Sequence, residues 1–212
     1  SSVNPHTVVP GSTIGATDAI HTPGSAMTTN VVTDLRIDGD GFFAIAPSED
    51  FEAPYLTRAG NFTIDAERRL VAANGMFVLS EGGDIIQLDE DITAFSISTN
   101  GEIIAVNADG TSESTDIFIG VVMVTNPRGL EQIGGNLYQI TPNANIDIPE
   151  IGLANDPETG SGAIISGELE MSNVDLTAEF AEMIVAQRGF QANSRIITTS
   201  DEILQEVVNL KR

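Results

Sequence analysis

The most regular pattern of hydrophobic positions lies in the last forty residues of the chain. From Leu176 to Leu204 every seventh residue is apolar, and a column four residues further on begins at Phe180 and ends at Val208. Gln187, Ser194 and Asp201 make the middle of that second column polar. This spacing predicts one long coiled-coil-forming helix over 175–212. Its apolar positions, called the seam from here on, are Leu176, Phe180, Met183, Phe190, Ile197, Leu204 and Val208.

The predicted helix has no predicted partner in the rest of the sequence. It contains no proline, acidic groups cluster at its start, and Lys211 and Arg212 stand at its end, which suits the helix dipole. A helix over 176–210 would be roughly 50 Å long. Because an apolar seam of that length has to be buried, we expect the helix to bind another chain or a segment outside this sequence.

Between residues 35 and 140, short apolar runs alternate with turn residues, and no helical pattern separates them. Asn74-Gly75 between two apolar runs is the strongest hairpin signal, since this pair supplies the two positive φ angles of a type I′ turn. A second hairpin is expected around Asn100-Gly101, and a third around Gly39-Asp40-Gly41, between Leu35–Asp38 and Phe42–Ile45. The pattern predicts a mainly β fold with an antiparallel sandwich or barrel-like domain.

Residue composition and hydrophobic pattern divide the chain into four parts. Residues 1–34 and 141–174 are rich in small residues, proline and turn formers, so we expect an extended connecting segment and an extended return connection. They flank the β-domain, 35–140, and the helix, 175–212, follows.

The charge of the chain narrows the classes of partner. There are 31 acidic and 9 basic residues, a net charge of −22. Residues 1–174 hold 25 acidic and 5 basic groups (−20), while 175–212 hold 6 and 4 (−2). Nucleic-acid binding is disfavoured because it depends on basic side chains that neutralise phosphates. There is no cysteine. Because no apolar run approaches the ~18 residues of a membrane span, we expect no membrane insertion.

Two stretches imitate ligand-binding motifs. Gly39-Asp40-Gly41-Phe42-Phe43-Ala44 has the spacing of a dinucleotide fingerprint, but that motif must open a helix, and here a strand pattern and Pro47 follow. Asp38, Asp40 and Glu49 fit three positions of a calcium loop, yet Phe42 offers no oxygen at a fourth. Both matches are interpreted as chance.

No set of residues forms a catalytic pattern. His6 and His21, the two histidines, lack the spacing of metal ligands. We therefore expect no catalytic residues, no metal, no cofactor and no enzyme activity. Two alternatives from other classes stay open: a secreted β-sandwich hydrolase that uses buried carboxylates, or a surface adhesion module. A pocket of converging carboxylates with raised pKa values would favour the hydrolase.

Several segments resemble one known family. Residues 34–43, which read DLRIDGDGFF, are similar to a signature of bacterial flagellar rod and hook proteins, and 55–65 with 70–75 resemble the segment that follows. These segments include the turn residues Gly39, Gly41, Gly60, Asn74 and Gly75. Residues 169–176 and 183–194 are similar to the family's C-terminal signature.

The resemblance implies a function. Family members are exported through the flagellar type III apparatus and polymerise with themselves and with neighbouring axial proteins of the rod, hook cap and hook–filament junction. Residues 188–195 and 197–199 point to the flagellar hook, a flexible tube that transmits motor torque, and a distal or proximal rod protein is the alternative. The implied location is the basal body and hook, outside the cell after export.

Two departures from the family pattern are visible. Family members begin with a helix that pairs with the C-terminal one, and this chain shows none. Longer hook proteins carry an inserted outer domain where only Glu81–Asp84 and a short acidic stretch occur here.

Overall fold

The computed structural model describes residues 24–49, 51, 53–89, 92, 94–107, 111–145, 149–174 and 176–210. His6 and His21 lie outside these ranges. The chain divides into two compact units, Ser1–Met171 and Ser172–Arg212, which are taken separately below.

The first unit is built from short strands. In chain order they are β1 (Ala26–Thr28), β2 (Leu35–Asp38), β3 (Phe42–Ala46), β4 (Tyr55–Thr57), β5 (Phe62–Ile64), β6 (Leu70–Ala72), β7 (Phe77–Val78), β8 (Ala94–Ile97), β9 (Glu102–Val106), β10 (Ser112–Phe118), β11 (Val121–Val122), β12 (Glu131–Gly134), β13 (Leu137–Gln139), β14 (Ile151–Gly152), β15 (Ala163–Ser166) and β16 (Glu168–Glu170). One 3₁₀ turn, Pro127–Gly129, precedes β12.

The strands pair antiparallel, as the sequence predicted. The largest sheet in the described part of the chain has the order β12-β13-β4-β3-β7-β6-β5, and β11 joins β3 to β14. Three smaller groups are β10-β9-β8, β15-β2 and β1-β16. The largest sheet is an open path with two ends, so the described residues form no closed barrel. Strands β1 and β14 to β16 lie in the segments predicted to be extended connections.

Strand β3 explains how the first unit, called the body from here on, is held together. All five of its residues are buried. Successive side chains of a strand point to opposite faces, and Phe43 and Ile45 accordingly enter one apolar cluster while Phe42, Ala44 and Ala46 enter another. Burial of both faces is why this strand is continuously apolar instead of alternating. In the first cluster, Phe43 meets Phe62 edge to face with ring centroids 5.1 Å apart.

The predicted hairpin around Asn74-Gly75 is confirmed, although its turn type was wrong. Val71 of β6 pairs with Phe77 of β7. Gly75 has φ +81°, whereas Asn74 is not in the positive-φ region that a type I′ turn requires. The amide of Gly75 donates to Ala72 O and the amide of Ala72 donates to Met76 O, which is the pattern of a three-residue loop closed by a glycine bulge.

The hairpin predicted around Gly39-Asp40-Gly41 is wrong. Strand β2 pairs with β15, from Ile37 opposite Ile164, and β3 pairs with β4, β7 and β11. Gly39 and Gly41 both have φ +128°, outside the left-handed helical region that a two-residue hairpin uses. The chain therefore crosses from one sheet to another at this point and does not fold back. The hairpin around Asn100-Gly101 is confirmed, with Ile97 opposite Ile103.

The second unit is the helix α1, Leu176–Leu210, which confirms the predicted long C-terminal helix. Glu179 lies in its first turn, in keeping with the helix dipole. In its second half, the hydroxyl groups of Thr198 and Thr199 donate to the carbonyl of Arg195, so these polar side chains bind the helix backbone itself.

Candidate assembly surfaces

The seam of α1 is exposed along the described helix. The exposed fractions are 59% for Phe180, 54% for Met183, 68% for Phe190, 47% for Ile197 and 61% for Leu204. Leu176 and Val208 belong to the helix, but their side chains lie outside the described part of the structure. Large apolar side chains left in water at regular helical spacing mark an interaction surface.

Gly189 lies in the middle of this helix. A Cβ atom built there would meet no atom within 4 Å among the described residues. Glycine costs about 1 kcal/mol relative to alanine in a helix, and packing among the described residues does not account for it. A close approach by a helix from outside the chain would.

The strand that precedes the helix is fixed to the body by an ion pair. Nε of Arg58 donates to Glu170 Oε2 at 3.0 Å, and NH2 of the same guanidinium lies 3.0 Å from that oxygen. The other oxygen of Glu170, Oε1, accepts the amide of Gly24 at 2.9 Å. One carboxylate thus joins the N-terminal segment, the loop after β4 and the strand β16, six residues before α1 begins.

The same guanidinium gives a structural role to Gly39 and Gly41, the family-motif glycines between β2 and β3. NH1 of Arg58 donates to the carbonyl of Gly39 at 2.9 Å and to that of Gly41 at 2.7 Å. Both glycines have φ +128°, a conformation that other residues rarely adopt, and both of their carbonyls accept from this one donor. The Arg58 guanidinium also lies 5.9 Å from the ring centroid of Phe42. Sequence analysis identified these glycines but missed Arg58, because its partners are distant in sequence.

A second ion pair holds the other end of β16. Arg36 Nε donates to Glu168 at 3.1 Å and Arg36 NH1 donates to Asp38 at 2.9 Å. The hydrogen bond to Asp38 is the main cause that raises the pKa of Arg36 above its ordinary value, and the contact with Glu168 adds to it. Arg36 is thus a fixed positive charge. Together these contacts make residues 168–170, called the root from here on, a rigid end of the body.

Gly60 is the remaining family-motif glycine, and its role is a close backbone approach. Its carbonyl accepts the amide of Leu35 at 2.9 Å. A Cβ atom at residue 60 would lie 1.8 Å from the carbonyl oxygen of Leu35, so no other residue fits without movement of the backbone. Gly60 therefore sets the start of β2 against the loop after β4.

The outer side of the β1–β16 ribbon is another exposed apolar surface that sequence analysis missed. Met27 pairs with Leu169, and Met27 is 45% exposed. Met171, two residues after Leu169, is 50% exposed. The alternation that directs Glu168 and Glu170 toward Arg36 and Arg58 directs Leu169 to the opposite face.

The described residues offer neither a metal-binding cluster nor a membrane-spanning helix. They contain no group of three or more His, Cys, Asp or Glu side chains placed to hold a metal ion. Of the helices described, none combines the length and the apolar character needed to cross a bilayer.

A β-sheet body with a fixed root, followed by a long helix whose apolar side chains are exposed, defines a structural subunit. Two family descriptions match the chain. Residues 36–105 match "Flagellar hook protein FlgE/F/G D1 domain", and residues 165–210 match "Flagellar basal body rod FlgEFG protein C-terminal". The first covers much of the body and the second covers the root and the helix.

Individual relatives agree with these matches. The chain is 48% identical to the flagellar basal-body rod protein FlgG of Bacillus subtilis, over 95% of this chain and 74% of that protein. It is 38% identical to the FlgG of Borreliella burgdorferi, over 95% of this chain and 73% of that protein. The chain belongs to the family of flagellar rod and hook proteins and is a structural component of the flagellar basal body and hook region.

The comparisons favour the rod over the hook. The hook protein FlgE of Borreliella burgdorferi is 44% identical, but only over 55% of this chain and 25% of that protein. The expectation of a hook protein, drawn from residues 188–195 and 197–199, is thus supported less well than its alternative. Those residues lie in the matched C-terminal region, which rod and hook proteins share, so they do not separate the two.

Proposed function

We propose that this chain is a subunit of the flagellar rod, and that it enters a helical polymer through the seam of α1. The observation that carries the proposal is the exposure of Phe180, Met183, Phe190, Ile197 and Leu204 on a 35-residue helix. Burial of one such side chain contributes roughly 1.5–3 kcal/mol. Burial of the seam therefore contributes a large share of the free energy that holds subunits together.

The two units take different roles in this proposal. The helix, 175–212, forms the inner core of the polymer, and the β-domain over 35–140 forms its outer part, with 1–34 and 141–174 as connections. The root supports this division, because Arg58 and Arg36 tie the last strand of the body to the rest of that unit. The partners are copies of this chain and the neighbouring axial proteins. Delivery by the flagellar export apparatus belongs to the same proposal.

The rod is favoured over the hook because the rod proteins align with a larger share of this chain than the hook protein does. Rod proteins of two distant bacteria match 95% of this chain and nearly three quarters of their own length. In the proposed rod, β16 and its ion pairs suit a stiff shaft, since a guanidinium with several acceptors holds one geometry.

Electron microscopy of basal bodies from a deletion strain tests this function. In the bacterium that encodes this protein, its loss should leave incomplete rods without hooks, and the wild-type gene supplied in trans should restore both. Complete rods that end without a hook would instead make this chain the hook subunit. Normal flagella in the deletion strain would contradict both assignments.

A further inference from the structure

The helix α1 carries a second apolar face in addition to the seam. At about 100° per residue, six apolar residues lie within about 20° of one line along the helix, and this line is about 150° around from the seam. This second face consists of Ala178, Val185, Ala192, Ile196, Ile203 and Leu210.

All six residues of the second face are exposed in the structure. The four larger side chains are exposed by 71% at Val185, 62% at Ile196, 61% at Ile203 and 82% at Leu210. Arg188 and Arg195 lie between the second face and the seam on one flank, together with Ala181 and Ile184, and Glu182 and Ser200 lie on the other flank. The helix therefore has two apolar surfaces, and a single partner along the seam leaves one of them in water.

The area of one helix face is small for a stable interface. A 35-residue helix is about 52 Å long, and one stripe about 10 Å wide offers about 500 Å². Each partner of a stable interface buries about 800 Å². Neither face alone reaches that area, so a helix in the polymer is held by contacts with several neighbours, and the second face provides one set of these contacts.

The second face is complementary to itself in size. Ala178, Val185 and Ala192 in its first half are each smaller than the residue 18 positions later in its second half, which is Ile196, Ile203 or Leu210. The first half is called the small half and the second the bulky half from here on. Each bulky residue follows its smaller counterpart by 18 residues, which is five turns of an α-helix, so the two halves share one line. Such an internal match has a use only when the partner has the same sequence.

We infer that the second face binds a second copy of α1, parallel to the first and shifted by five turns, about 27 Å. The bulky half of one copy then lies on the small half of the next, opposite residues being Ala178 and Ile196, Val185 and Ile203, and Ala192 and Leu210. An unshifted parallel pair would place bulky on bulky and small on small, which packs poorly. This inference rests on the proposed function and names the contact between neighbouring copies.

The shifted arrangement is open-ended. Each helix uses its small half for one neighbour and its bulky half for another, so addition continues without closure, as a polymer requires. The two neighbours lie about 54 Å apart along the axis, and a helix of about 52 Å fits between these positions end to end. An antiparallel pair also matches small with bulky residues, but it closes after two copies. The low net charge of residues 175–212, −2 against −20 for 1–174, allows the helices to approach more closely than the bodies.

Cysteine cross-linking of the full chain tests the inference, since the chain has no cysteine of its own. Disulfides form only between residues whose Cα atoms are about 4.4–6.8 Å apart. The variants Ala178→Cys, Ile196→Cys, Ala192→Cys and Leu210→Cys are mixed in pairs and oxidised with copper-phenanthroline. Gln191→Cys, about 120° away from the second face, gives the background from random collision.

We expect several-fold more mixed disulfide than background for residues 178 with 196 and for residues 192 with 210. Excess cross-linking of 178 with 210, or of 192 with 196, would mean an antiparallel pair and would overturn the inference. Excess self-linking at 196 would mean an unshifted pair and would also overturn it. So would the absence of any cross-link above the Gln191→Cys background. If these links fail while the deletion strain still lacks complete rods, the inference alone falls; if they form while the deletion strain has normal flagella, the proposed function alone falls.

Discussion

The carboxylate of Glu170 binds the guanidinium of Arg58 with one oxygen and the amide of Gly24 with the other. Arg58 in turn donates to the carbonyls of Gly39 and Gly41. Three segments that are far apart in sequence therefore meet at one ion pair just before the helix. This relationship makes the root a fixed end of the β-sheet body.

The first prediction concerns this ion pair. Glu170→Gln keeps the shape of the side chain but removes its charge, and we expect the free energy of unfolding of the body to fall by about 1–3 kcal/mol. The amide of Gly24 should exchange faster with solvent, because its acceptor is weakened. Chemical denaturation and hydrogen exchange measure the two effects. Glu158→Gln, at an exposed glutamate, is the matched control and should change neither.

If Glu170→Gln leaves both the stability and the exchange of Gly24 unchanged, the ion pair does not fix the root. Arg58→Lys extends the test. Lysine keeps the charge but cannot donate to one carboxylate and two carbonyls in the same fixed geometry, so we expect it to restore little of the loss seen with Arg58→Ala.

The second prediction concerns Gly60. Gly60→Ala brings a Cβ atom to 1.8 Å from the carbonyl oxygen of Leu35, and we expect a loss of at least about 2 kcal/mol in the free energy of unfolding. Gly82→Ala is the control, since its nearest neighbour would be Asp84 Oδ2 at 3.5 Å. That change should stay within about 0.5 kcal/mol. Equal stability of the two variants in urea unfolding would refute the role given to Gly60.

The third prediction concerns the pH dependence of the β5–β6 hairpin. Desolvation raises the pKa of Asp65, but hydrogen bonds from the Arg69 backbone and side chain outweigh it and hold the pKa below the ordinary value of 3.8. A lowered pKa contributes stability that is present above the unfolded-state pKa and is lost as the pH falls through the folded-state pKa. We therefore expect Asp65→Asn to be less stable than wild type at about pH 7, with a gap that narrows toward about pH 3. Urea midpoints of both proteins across this range measure the gap, and a constant gap would show that the Asp65 charge contributes nothing.

The fourth prediction is that assembly strengthens with salt. Residues 1–174 carry a charge of −20, so bodies packed closely in a polymer repel each other. The Debye length falls from about 30 Å at 0.01 M to about 8 Å at physiological ionic strength, which weakens that repulsion. Sulfate should act more strongly than chloride because it also favours apolar burial. Sedimentation of the full-length protein of the encoding bacterium across a salt series measures the effect, and polymer that forms best at low salt would mean that attractive ion pairs dominate.

Local patterns in the sequence were enough to predict the helix and two of the hairpins. The seven-residue spacing of Met183, Phe190 and Ile197 defined α1, and Asn74-Gly75 located the turn between β6 and β7. The error at Gly39–Gly41 arose because the partner of β2 is β15, more than a hundred residues later, and no local pattern reports such a pairing.

The contacts of the root could not be predicted from the sequence, for a similar reason. Arg58 and Glu170 are 112 positions apart, and a single sequence gives no sign that they meet. The second face of α1 was different, because Val185, Ile196 and Ile203 are visible in the sequence. It was not predicted because the seven-residue column that begins at Leu176 defines only one side of the helix, and the second face lies about 150° around from it.

The central claim is that the seam of α1 holds the polymer together and that the β-sheet body folds without it. Ile197→Asp tests it most directly, because it places a charge at an apolar contact, where a carboxylate without a partner is costly. Ser200→Asp adds the same charge on a polar flank and serves as the control. The measurement is a pair: the melting temperature of the 212-residue chain, and rod assembly with swimming in cells that carry each full-length variant.

We predict that Ile197→Asp leaves the melting temperature of the body unchanged and abolishes rods and swimming, while Ser200→Asp retains both. Normal rods and motility with Ile197→Asp would contradict the claim, since the seam would then lie outside the assembly contacts. A large fall in the melting temperature would contradict it as well, because the body would then depend on the helix for its own fold.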